Sequence, residues 1–297
     1  MADAHSKPTN KKLRCIQRSA DHHWVGDGFP VRTLFAYSNL GEALSPFLLF
    51  DYAGPAEFPP TEKRLGVGEH PHRGFETVTI VFSGEVEHRD SSGGGGRIGP
   101  GDVQWMTAAS GLVHEEFHGR EFAKRGGAFE MVQLWVNLPA KDKKASPRYQ
   151  SITSSQIPTV PLPGNQGEIR VIAGDFLGQK GPAKTFTPIQ VWVLRLSPGH
   201  GSMPIQLPDG YTTVLVVLKG DLKVNGAEAI RDAEVGLFDR KGEIFNVEAE
   251  SETTAILLAG EPLLEPIVGQ GPFVMNTREE IHQAAEDYYS GRMGHLG

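Results

Sequence analysis

Four side chains in two short stretches have the types and spacing of a metal centre. His70 and His72 lie in GEHPHRGFETVTIVFSG (68–84), and His114 and Glu116 lie in GPGDVQWMTAASGLVHEEF (99–117). In an extended strand successive side chains point to opposite faces, so residues i and i+2 share one. Two strands of one barrel, each aiming such a pair inward, present three imidazoles and one carboxylate. Those donors suit iron, nickel, copper, zinc or manganese, and the lack of thiolates argues against a Cys-rich structural zinc site. On an octahedral ion, four ligands leave two positions open. That suits chemistry or sensing better than a structural staple.

The elements that must hold these residues are short strands. The chain has 36 Gly and 21 Pro among 297 residues, which favours many turns over long helices. Its length implies two domains of roughly 150 residues. The net charge of −7 gives no general attraction to nucleic-acid phosphates or anionic membranes. Cys15 is the single cysteine, so no intrachain disulfide forms, and the polar first residues carry no apolar core of a secretory signal. No run approaches the ~18 apolar residues of a membrane-spanning helix. A cytoplasmic protein that binds neither membrane nor nucleic acid directly is the expectation.

Residues 1–20 read as a disordered leader carrying Cys15. Strands are expected at 28–37 and 45–54, followed by a loop over 55–68. The first ligand strand should run unbroken from His70 to Phe82. On that parity His70, His72, Gly74, Glu76, Val78, Ile80 and Phe82 share an inward face. EVEHRD (85–90) follows, then SSGGGGR (91–97), read as a mobile hairpin tip; no Gly-Lys-Ser/Thr follows, which argues against phosphate binding. Strands at 103–108 and 127–139 complete the first half. AKDKKASPRYQS (140–151) shifts to charge, Ser and Pro and reads as a solvated linker.

The second half repeats the pattern, with short strands at 169–176, 190–196, 212–220, 221–224, 234–238, 244–250 and 253–260. Asn225–Gly226 is a two-residue hairpin signal. Thr277 with Glu280 forms a capping box for a helix over 277–291 closed by Gly291. Aligning Gly84 with Gly220 puts Gln206, Pro208 and Thr212 where the first half has His70, His72 and Glu76. Aligning Gly111 with Gly242 puts Phe245 and Val247 in place of His114 and Glu116. No ligating set survives there. The expected domains are 1–145, with the metal site, and 146–297, without one and ending in the helix.

HPHRGFETVT (70–79), GDVQWMTA (101–108), the run from Gly111 to Glu116, QLWVNLP (133–139), RVIAG (170–174) and GPFVMNT (271–277) resemble the pirin family of the cupin superfamily. The likeness covers essentially the whole chain. It implies an all-β protein, two tandem cupin (double-stranded β-helix, jelly-roll) barrels with a C-terminal helix. It also implies Fe2+ in the first barrel alone, other divalent ions (Mn, Ni, Cu, Zn) being possible. The family's ligands fall on His70, His72, His114 and Glu116. This chain departs from the family in having Glu115 between the last two ligands and Ala109-Ser110-Gly111 in place of Gly-x-Gly. General cupins take the carboxylate from the first motif, which makes Glu76 the rival ligand, or a residue orienting a histidine.

His88 is expected on an exposed hairpin and His118 at the surface. His22, His23, His200, His282 and His295 have no evident partners. Phe75, Trp105, Met106 and Phe117 are candidate pocket walls. Bacterial pirins imply opening of flavonols such as quercetin with O2, Glu116 serving as ligand and as base for the 3-hydroxyl proton. The alternative the family implies is a regulator whose iron-bearing domain meets a protein partner according to its redox state, on a surface beginning at Arg73. A zinc-dependent sugar isomerase or epimerase would fit the ligands but not the pirin blocks.

Overall fold

The structure, a computed structural model, describes residues 8–19 and 22–297. The chain is all-β with a C-terminal helix, and it forms two compact units. One unit comprises Ser19–Ile157, Pro182–Thr187 and Leu263–Gly297. The other comprises Pro158–Gly181 and Pro188–Pro262 together with the described residues up to Arg18. A single cut after residue 145 therefore does not separate them. The helix groups with the first barrel, and the N-terminal segment groups with the second.

The first barrel has a seven-stranded antiparallel sheet. Its strand order is Arg148–Ile152, Val103–Thr107, Phe75–Ser83, Gly127–Asn137, Phe47–Phe58, Phe29–Ala36, His22–Val25. Opposite lies a four-stranded sheet in the order Gly66–His72, Leu112–His118, Val86–Asp90, Gly95–Ile98. Val31, Val81, Phe129 and Met131 of the first sheet meet Val86 and Ile98 of the second, closing one end with apolar side chains. The second barrel repeats the design with one seven-stranded and one four-stranded sheet, and its interior is a continuous apolar cluster. Asn225–Gly226 sits in a hairpin between Leu222–Val224 and Glu228–Ile230, as expected, although the loop has three residues, 225–227, rather than two.

Four segments differ from the sequence expectation. The leader is ordered from residue 10: Leu13–Arg18 pairs with Glu234–Phe238, and Cys15 sits on that strand with an exposed thiol. Residues 1–7 lie outside the described residues. Leu13 and Ile16 pack on the second core, and the fully buried Lys11 donates to the carbonyls of Tyr211, Asp239 and Arg240. A polar segment is thus held by backbone partners that its own composition does not reveal.

The loop expected over 55–68 is shorter, because Phe47–Phe58 runs through Pro55. That residue falls at a bulge, between Ala53↔Met131 and Ala56↔Phe129, where a missing N–H costs no ladder bond. Gly95–Ile98 is an edge strand rather than a mobile tip. The linker also forms a strand, Arg148–Ile152, and its Lys143 is buried rather than solvated. The Lys143 ammonium donates to the carbonyls of Gly74 and Val274 and to Asn137 Oδ1, and burial lowers its pKa to about 7.

The helix runs Arg278–Tyr289 with the expected capping box: Thr277 Oγ1 accepts from the Glu280 N–H, and Glu280 accepts from the Thr277 N–H. Among the described residues no helix is long and apolar enough to cross a membrane.

Candidate metal centre

Gly66–His72 and Leu112–His118 are antiparallel neighbours that set His114 opposite His70 and Leu112 opposite His72. Donor atoms of His70, His72 and His114 lie within 4.8 Å of one another. Ring centroids are 4.2 Å apart for His70–His114, 4.9 Å for His72–His114 and 5.0 Å for His70–His72. His70 Nδ1 faces the Gly68 carbonyl at 2.8 Å and His72 Nδ1 faces the Pro272 carbonyl at 3.3 Å. A ring nitrogen against a carbonyl carries the proton, which leaves each Nε2 as a lone pair. His114 Nε2 is buried without a partner. Burial, reinforced by the neighbouring imidazoles, pushes His72 and His114 well below the usual imidazole range, which keeps them in the neutral, ligating form. Three clustered imidazoles, one with a buried nitrogen that has no partner, fit a divalent transition ion.

A bulge between His114 and Glu116 sets Glu116 opposite Val67, and on its other side Glu116 faces His88. Glu116 joins a second set of donors within 4.8 Å, with His88 and His114. Among the described residues no third such group occurs. The Glu116 carboxylate accepts from Gln104 Nε2 at 2.5 Å and from Gln133 Nε2 at 3.0 Å, with Thr79 Oγ1 at 3.5 Å. Thr79 is directly opposite both Gln104 and Gln133, so three neighbouring strands present one polar rung across the barrel. Sequence reasoning missed this rung, although its signal was there: polar residues at one parity within otherwise apolar strands.

Glu76 is not at the centre. Between His72 and Phe75 the chain leaves the four-stranded sheet for the seven-stranded one, and the strand parity restarts. Gly74 makes the crossing with φ +92°, and a Cβ there would sit 1.9 Å from the Val274 carbonyl oxygen. Thr79 then points to the site, and Glu76 points to the opposite face beside Thr107. There it accepts from Thr107 Oγ1 at 2.6 Å and touches no histidine. Burial raises its pKa to about 7 against the opposing pull of Thr107 and Arg148.

His88 is buried rather than exposed. It stacks on Tyr149 at 5.0 Å and 7° and lies between Asp90 and His114. His118 is likewise buried, bonded to the Gly28 carbonyl among Phe29, Phe58 and Phe129. Arg73 is not an open surface: it pairs with Asp287 of the helix at 2.7 Å and donates to the Ser110 carbonyl. Of the proposed pocket walls, Phe75 touches the His72 ring, joined by the unforeseen Trp135 stacked upon it. Phe117 instead lies under the Arg64 guanidinium. Ala109, which replaces a family glycine, adopts φ +42°.

The profile of the family described as Pirin matches residues 28–136, and that of the Pirin C-terminal cupin domain matches residues 191–294. A Pseudomonas aeruginosa protein named "putative quercetin 2,3-dioxygenase" is 57% identical over 95% of this chain and 98% of its own. Human pirin is 39% identical over 84% of this chain and 83% of its own. A solved structure of quercetin 2,3-dioxygenase from Acinetobacter baumannii superposes with a TM-score of 0.94 at 50% identity, covering 97% of this chain and 99% of that one.

Proposed function

The chain belongs to the pirin family, and on that footing we propose that it is a metal-dependent dioxygenase that opens flavonols such as quercetin with O2. His70, His72, His114 and Glu116 hold Fe2+. The observation that carries this reading is the buried, unpartnered Nε2 of His114, a residue whose donor atom lies within 4.8 Å of those of His70 and His72. The names of the P. aeruginosa and A. baumannii relatives supply the substrate class. When bound, the ion supplies a Lewis acid for the substrate oxygens and the redox chemistry of dioxygen.

The chain's own residues bind, orient and move a proton. Gln104 and Gln133 each donate an amide N–H to Glu116, which fixes its carboxylate as an acceptor. A flavonol 3-hydroxyl brought against that carboxylate passes its proton to a Glu116 oxygen, giving the more electron-rich flavonolate. Phe75 and Trp135, stacked at 4.3 Å beside His72, form an aromatic wall for a flat ring system. A lone exposed thiol at Cys15 suits the reducing cytoplasm.

The test is anaerobic loading with Fe2+, then quercetin and oxygen. Loss of the flavonol absorbance with release of carbon monoxide is expected. His114→Ala should abolish turnover, and Glu116→Ala should lower it by roughly 100-fold or more. Stoichiometric iron with no turnover of quercetin would overturn the reading.

A further inference from the structure

Behind His114 the structure places a chain of groups whose hydrogen-bonding leaves one arrangement of protons for a neutral His88. Asp90 Oδ1 accepts from the Ser92 N–H at 2.8 Å, the Ser92 hydroxyl at 2.5 Å and the Gly94 N–H at 3.0 Å. The carboxylate is therefore an acceptor, and its Oδ2 lies 3.1 Å from His88 Nε2. His88 must donate there, and as a neutral imidazole with its proton on Nε2 it keeps Nδ1 as a lone pair. That lone pair faces His114 Nδ1 at 3.2 Å, so His114 carries its proton on Nδ1 and donates it to His88. The remaining nitrogen of His114 is Nε2, buried without a partner, and His114 belongs to the donor set with His70 and His72.

The neighbours hold each member in place. His88 is 4% exposed and sandwiched by Tyr149, and Asp90 lies directly across the ladder from His114. Gly94 has to be glycine, since a Cβ there would come within 2.4 Å of Asp90 Oδ2 and 2.6 Å of Tyr149 Cβ. The glycine run after Asp90 is thus a turn folded onto a carboxylate.

From this geometry we infer that Asp90 and His88 are positioning residues that fix the tautomer of His114, so that its Nε2 lone pair is always available to the metal. The inference rests on the metal-site reading above but not on the flavonol activity. Hydrogen-bonded partners behind a ligating histidine commonly govern roughly 10–100-fold in metal affinity.

Asp90→Asn is the informative change, because it keeps shape while altering the donors. The three donors from Ser92 and Gly94 hold the amide oxygen on their side, which turns the amide nitrogen toward His88. His88 must then accept at Nε2 and carry its proton on Nδ1. Facing that N–H, His114 must accept at Nδ1 and protonate Nε2, the nitrogen the metal needs. Nitrogen-15 NMR of histidine-labelled, metal-free protein reads these tautomers directly, and competition with a chelator reads the affinity.

The expected result is Nδ1–H for His114 in the wild type, Nε2–H in Asp90→Asn, and a roughly 10–100-fold weaker affinity for Fe2+ or a Zn2+ probe. Adding His88→Leu to Asp90→Asn removes the imposed N–H and should restore part of that affinity, which a merely structural lesion would not do. Finding His114 as Nε2–H in the wild type would overturn the inference even if a variant failed to fold. An unchanged tautomer and affinity in folded Asp90→Asn would do so as well. Loss of quercetin turnover with these readouts intact would count against the flavonol reading alone.

Discussion

The two barrels share one plan and differ in what fills them. In each, an edge strand of the four-stranded sheet pairs with the strand that follows it in the sheet: Gly66–His72 with Leu112–His118, and Met203–Gln206 with Ile244–Ala249. Where the first pair carries His70 opposite His114, the second carries Ile205 opposite Phe245 and Met203 opposite Val247, all buried in an apolar cluster. The first barrel holds the Glu116 carboxylate in its interior by meeting it with amides from the facing sheet, in the rung of Gln104, Thr79 and Gln133. The second has Val217, Leu215, Leu257 and Trp192 in its core. The lesson is that a binding centre in this fold requires two polar surfaces, a ligand face and a donor face. The second barrel has neither.

The strongest test moves one ligand across. Val247→Glu puts a carboxylate at the position corresponding to Glu116 but among apolar neighbours with no amide to receive it. A buried charge without partners should cost on the order of 3–5 kcal/mol, read as a lower midpoint in urea. Metal content per folded chain should stay unchanged. A loss below about 1 kcal/mol would mean that the second interior can accommodate charge, and the contrast between the barrels would fail.

A second test sharpens the contrast inside the first barrel, between the two faces of its seven-stranded sheet. Glu116 is met by two amides and a hydroxyl, whereas Glu76 on the opposite face is bonded by Thr107, with Arg148 at 3.8 Å. Burial raises the Glu76 pKa from 4.5 to about 7, so the folded chain holds a proton there that the unfolded chain releases. Its contribution to stability is complete below pH ~4.5 and is lost as pH rises toward about 7. Glu76→Gln should remove that dependence, leaving stability at pH 4 nearly unchanged and raising it by about 3 kcal/mol at pH 8. Parallel pH–stability curves for the two proteins would show that Glu76 does not titrate between the folded and unfolded states.

Much of this was legible in the sequence, for physical reasons that can be named. His70, His72 and His114 could be placed because strand periodicity acts over two residues, and the helix cap could be placed because Thr277 and Glu280 satisfy each other locally. Most of the misreadings involve partners distant in sequence. The parity argument for Glu76 failed because Gly74 passes the chain from one sheet to the other, and only the approach of Val274 shows why. His88 read as a surface residue because its partners, Tyr149 and His114, come from other strands. Lys11 read as part of a disordered leader and Lys143 as solvated because their carbonyl partners lie mostly in distant segments, Tyr211 to Arg240 for one and Gly74 and Val274 for the other. A charged residue discloses its burial only through the acceptors that surround it.

Each barrel also carries chain from the opposite terminus, and the smallest predicted effect concerns the first of these. Residues 263–297 bring a helix whose Ile281 and Ala284 pack with Val113, the neighbour of His114. The second barrel receives an edge strand, Leu13–Arg18, with the Lys11 side chain and backbone bonds from Thr9 and Lys11. Thr277→Ala removes the side-chain acceptor at the helix start and should cost about 1 kcal/mol, a fall of roughly 2–4 °C in Tm. Metal affinity should be unchanged, because the histidine ligands are fixed by ladder pairing, by the Gly68 and Pro272 carbonyls and by His88, none of which the cap holds. If affinity instead fell in step with Tm, the helix would be setting the ligand strand as well as covering it. The difference between the barrels would then lie in their coverings as much as in their linings.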